Sequence, residues 1–148
     1  MHNSDIGRIA RELFDSYRVR EPFVPLGESQ RPESMADDYR IQQTVYALMA
    51  DEGGLGPLGG HKIALTSQAI QTMCGVDQPV YGAVFASQIY SASSAPVRLS
   101  AGGYQRLGLE FELAVQIADD LPASDQPWTK ESVARYVAAV MPAFELID

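Results

Sequence analysis

Residues 106–117 alternate without a break. Leu107, Leu109, Phe111, Leu113, Val115 and Ile117 are apolar, while Arg106, Gly108, Glu110, Glu112, Ala114 and Gln116 between them are polar or small. Successive side chains of a strand leave opposite faces. Period two over this length therefore predicts a long β-strand with one apolar and one polar face. Glu110 and Glu112 share the polar face, with Cβ atoms about 6.6–6.8 Å apart, twice the rise per residue. Two glutamates at that spacing can lean together and place oxygens around one small cation. Without a cation, facing carboxylates repel. A glutamate pair of this kind also fits a merely solvated strand face, and the spacing alone leaves both readings open.

The rest of the chain has its own punctuation. Residues 4–18 read as an amphipathic helix, with Ile6, Ile9, Ala10, Leu13, Phe14 and Tyr17 on one stripe and Ser4 placed to cap it. A connection rich in Pro, Gly and Ser follows. A second helix is expected from Ser34, with Asp37 at capping-box spacing and Ile41, Val45, Leu48 and Met49 inward. The run DEGGLGPLGG ends it. Beyond that loop come an expected strand at 61–65, a helix at 67–74 stopped by Gly75, and strands at 80–85 and 95–99. A last helix is expected at about 130–141, capped by Thr129, with Val133, Tyr136, Val137 and Val140 inward. Pro142 closes it, and a further strand opens at 143. Cys74, beside Ile70 and Met73, reads as a core residue.

Two helices followed by a strand-rich stretch give an α+β fold class. The expected organisation is a small helical cap over 1–58 and an incomplete β-rich catalytic region over 59–148. The last strand is still open at Asp148, which reads as part of a larger fold, because half a strand leaves ladder groups without partners.

Composition excludes some function classes. The formal net charge is −8, so neither nucleic acid nor an anionic membrane is expected as a partner. Cys74 is the single cysteine, which rules out an internal disulfide and favours a reducing compartment. The N-terminus has no apolar signal-peptide core and no segment reads as a membrane span, so the expected location is the cytoplasm.

Other residues can be set beside the glutamate pair. Glu145 lies in Pro-Ala-Phe-Glu-Leu-Ile-Asp, between small and branched apolar residues, where a lone carboxylate is costly unless something pairs with it. Oxygen-only ligands select Mg²⁺, Mn²⁺ or Ca²⁺, and two histidines with one cysteine support zinc poorly. Three carboxylates around a divalent ion leave a net negative charge. Lys62 would neutralise it and can donate a proton, although an ordinary surface lysine fits equally. Thr66 and Ser67 stand where a helix begins, and its free N–H groups can bind a carboxylate; capping alone explains them as well. His61 and Ser67 make no nucleophilic triad, since no Gly-x-Ser-x-Gly elbow is present.

Several stretches then line up in order with one family. They are Asp38-Tyr39-Arg40-Ile41-Gln42, Gly60 through Ser67, Gly75-Val76-Asp77-Gln78-Pro79 with Tyr81-Gly82, Glu110-x-Glu112, Asp120-Leu121-Pro122, and Pro142 through Asp148. The series resembles the 2-keto-4-pentenoate hydratases and 4-oxalocrotonate decarboxylases of the fumarylacetoacetate hydrolase superfamily, over their N-terminal part. Ala64 stands where a glycine is usual, and Val80 where many hydratases carry an aspartate. The resemblance implies part of a mixed β-roll. It also implies Mg²⁺ or Mn²⁺ held by Glu110, Glu112 and Glu145, with Lys62 facing a small 2-keto acid substrate bound near Thr66 and Ser67. The implied activity is a metal-dependent lyase of aromatic catabolism, expected as a homo-oligomer. The alternatives are a 2-keto acid decarboxylase, or a non-catalytic metal-binding module that needs a second half.

Overall fold

The amphipathic stripe at the N-terminus is buried as its spacing demands, except that Tyr17 at its end is exposed. In a computed structural model describing residues 1–148, α1 (Asn3–Arg18) buries Ile6, Ile9, Ala10 and Phe14. Its partner is α2 (Met35–Asp51), which contributes Ile41, with Leu13, Val45 and Leu48 packed around the cluster. Ile9 and Phe14 are fully buried, and each such side chain contributes about 1.5–3 kcal/mol. Two arginines lie over the Phe14 ring, Arg11 and Arg18, each 5.6 Å from its centre. Arg11 also forms a two-pronged pair with Glu52, at 2.6 and 2.7 Å, which ties α1 to the end of α2.

The helix starts differ in kind. Ser34 caps α2 as expected, its hydroxyl accepting from the Asp37 N–H at 3.2 Å. Ser4 does not cap α1. That helix begins one residue earlier, and the backbone carbonyl of His2 receives the Asp5 and Ile6 N–H groups.

After α2 the chain forms β1 (Leu58–Ala64), α3 (Gln68–Cys74) and β2 (Val80–Phe85). β1 and β2 pair antiparallel, with Lys62 opposite Gly82. Ser67 caps α3, and Gly75 ends it in the left-handed conformation at φ 72°, where glycine pays no Cβ penalty. Leu65, at the turn between β1 and α3, also has positive φ, at 57°. Its carbonyl is held by the buried Gln71, whose Nε2 donates at 2.7 Å. Cys74 and Met73 are exposed, so the core reading of this helix fails: its buried residue is Gln71. The expected strand at 95–99 is irregular chain.

These elements belong to one compact unit, Met1–Val97, and a second unit spans Arg98–Asp148. In the second, β3 (Gly108–Ile117) pairs antiparallel with β4 (Val137–Ile147), flanking the short α4 (Lys130–Ala134). The helix expected to reach 141 stops after five residues, although its Thr129 cap is present with reciprocal bonds to Ser132. From Val137 the backbone joins the ladder of β3 instead. Pro142 is not a terminator but sits inside β4, opposite Leu113. A two-stranded sheet has only edge strands, where a missing N–H is tolerated. The mixture of helices and antiparallel hairpins is α+β, and no helix is long and apolar enough to cross a membrane.

Candidate metal centre

The β3–β4 register decides which carboxylates meet. Glu110 lies directly opposite Glu145, and Glu112 lies opposite Ala143. Glu112 is two residues along from Glu110, so all three acids leave the same face of the hairpin. One oxygen from each lies within 4.8 Å of the others. Glu110 and Glu112 are exposed and Glu145 is partly buried. The opposite face carries the apolar partners, including Phe111 and Phe144, whose rings meet edge to face at 5.2 Å.

The donor set suits a hard cation. Six-coordinate Mg²⁺ holds oxygens at about 2.0–2.1 Å, so neighbouring ligands stand about 2.9 Å apart and ligands across it about 4.1 Å. The three carboxylate oxygens lie within 4.8 Å of one another, and sharing one ion would draw them closer. Like charges directly opposite on a hairpin destabilise it. The Glu110–Glu145 pairing therefore runs against hairpin stability on their mutual charge alone, and a cation would offset that repulsion.

The remaining candidates lie in the first unit. Lys62 is half-buried on β1, with its stem beside Gly82. Ser67 caps α3, accepting from the Ile70 N–H at 3.4 Å, and Thr66 is exposed just before it. Three residues without an assigned role in the sequence reading also gather here. Tyr39, Gln42 and Tyr46, on one face of α2, bond the backbone of β2. Their spacing of three and four was the available signal, but a polar stripe beside an apolar one ordinarily reads as solvent-facing.

No model of a known protein family matches the chain. Individual proteins do. Over 148 residues the chain is 34% identical to a 2-keto-4-pentenoate hydratase of Paraburkholderia phymatum, covering 98% of this chain and 54% of that protein. In sequence, the chain is similar to about half of a 2-keto-4-pentenoate hydratase. A 2-hydroxyhexa-2,4-dienoate hydratase of Comamonas testosteroni is 29% identical over 93% of the chain and 50% of its own length. A 2-oxo-hept-4-ene-1,7-dioate hydratase of Escherichia coli is 29% identical over 95% and 50%. The chain thus spans about half the length of the hydratases it matches. The relatives' names are those of hydratases acting on different unsaturated acids.

Proposed function

We propose that the chain carries the metal-holding part of a lyase that hydrates 2-hydroxy-2,4-dienoates, within a fumarylacetoacetate-hydrolase-like β-roll. The observation that carries this reading is the meeting of Glu110, Glu112 and Glu145 on one face of the β3–β4 hairpin, in a chain whose relatives are hydratases. In this reading the three glutamates hold Mg²⁺ or Mn²⁺. A bound divalent cation supplies Lewis acidity toward the carboxylate and keto oxygens of a 2-keto acid. Lys62 supplies positive charge and a proton, and Thr66 and Ser67 offer hydroxyl and backbone donors to the substrate's carboxylate. A homo-oligomer fits the apolar face left exposed on the hairpin.

The test is turnover of 2-hydroxypenta-2,4-dienoate, followed by loss of its diene absorbance. The reading expects turnover that needs Mg²⁺ or Mn²⁺ and stops with chelator. Lys62→Ala should lower kcat by about 10²–10⁴-fold, the usual effect of removing a general acid. Turnover indifferent to chelator, or unchanged in Lys62→Ala, would overturn it.

A further inference from the structure

β2 pairs with β1 along one edge, and the edge of a strand presents unpaired N–H and C=O groups that invite another chain. In this chain side chains of α2 occupy that edge. Tyr39 Oη accepts from the Tyr81 N–H at 3.4 Å, and Gln42 Nε2 donates to the Tyr81 carbonyl at 3.2 Å. Tyr46 Oη accepts from the Ala83 N–H at 3.1 Å. Residues 81 and 83 are two apart, so their groups recur on the same edge of the strand, as a third strand would meet them. Residues 39, 42 and 46 are spaced by three and four, so a single helix face reaches them all. The Tyr39 and Tyr81 rings stack at 4.5 Å, adding a flat contact to the polar ones.

Two details show how closely the parts are fitted. Gln42 leaves its Oε1 buried without a partner. Turning the amide over would set that oxygen against the Tyr81 carbonyl, so the hydrogen bond fixes the orientation despite the unmet acceptor. Gly82 lies between the two bonded residues and opposite Lys62. A Cβ at Gly82 would stand 3.2 Å from Tyr46 Oη, and 3.5 and 3.8 Å from Cγ and Cδ of Lys62. The tyrosine hydroxyl and the lysine stem border the same small space.

We propose that Tyr39, Gln42 and Tyr46 are positioning residues that stand in for a third strand on β2 and, through the bare backbone at Gly82, fix where the Lys62 stem lies. The consequence for catalysis rests on the role given to Lys62 above; the clamp itself does not. Its test needs no substrate. Amide hydrogen exchange reads the bond at Ala83. Acetylation with acetic anhydride, quantified by mass spectrometry, reads Lys62 against Lys130, the chain's other lysine and an exposed one.

Tyr46→Phe removes a single oxygen. It should speed exchange of the Ala83 amide by about fivefold and raise the Lys62 to Lys130 labelling ratio by about threefold, in line with one lost hydrogen bond. Gly82→Ala should shift the same ratio in the natural background. It should do less in the Tyr46→Phe background, where the crowded oxygen is gone, and such non-additivity marks direct coupling. An unchanged Ala83 amide and ratio in Tyr46→Phe, or an equal effect of Gly82→Ala in both backgrounds, would overturn the proposal. A protein that fails to hydrate a dienoate but shows this coupling would lose the lyase reading and keep the clamp.

Discussion

Asp37 is buried, yet it is satisfied on every side. Its carboxylate accepts from the N-terminal amine at 3.2 Å, from Ser34 Oγ at 3.2 Å and from Arg40 Nη1 at 2.9 Å. Those bonds, the amine's foremost, hold its carboxyl below the usual aspartate range against the opposing effect of burial. A depressed acid stabilises the fold above its unfolded pKa, and that contribution fades as pH falls through the folded value. Asp37→Asn should therefore lower Tm at neutral pH, and the gap from the natural protein should shrink as pH falls below the ordinary aspartate range. An equal gap at neutral and acidic pH, by thermal denaturation, would contradict this. Asp38 shows the opposite case. Desolvation, with the charge of Asp37 added, pushes its carboxyl up, so Asp38→Asn should not destabilise at neutral pH. The Ser34–Asp37 cap was legible because it is local. The amine, 36 residues away in sequence, was not, because nothing in a local pattern marks a partner at that distance.

At the scale of elements, local signals were good guides where punctuation was strong. Gly75 ends α3 in the left-handed region, so Gly75→Ala should cost about 1 kcal/mol in denaturant unfolding, and Gly75→Asn less. Equal stability of the two variants would count against the left-handed cap. β3 was legible from its strict alternation. β4 was not fully so: Val137, Val140 and Tyr136 satisfy a helical spacing, and Thr129 opens a real helix before them. What decides the state of residues 137–141 is pairing with β3, a contact distant in sequence that outweighs a weak local preference. The glutamate site follows the same division. The Glu110–Glu112 pair came from one strand's periodicity, whereas the partnership with Glu145 depends on a register visible only once the strands are aligned.

For the whole molecule, the apolar face of the β3–β4 hairpin is the outstanding exposed surface. Phe111 is 81% exposed, Leu113 72% and Phe144 62%, and soluble monomers seldom leave such residues contiguous. The protein should associate with rising concentration in sedimentation, and Phe111→Glu should weaken that association. A monomer at all concentrations would contradict it. The opposite face holds the central claim, that three acids from two strands share one cation. Calorimetric titration with Mn²⁺ tests it most directly. The account predicts one ion per chain, with Glu110→Gln, Glu112→Gln and Glu145→Gln each weakening binding by at least about tenfold, since each removes a ligand charge. Affinity unchanged in any one of the three would contradict a shared site.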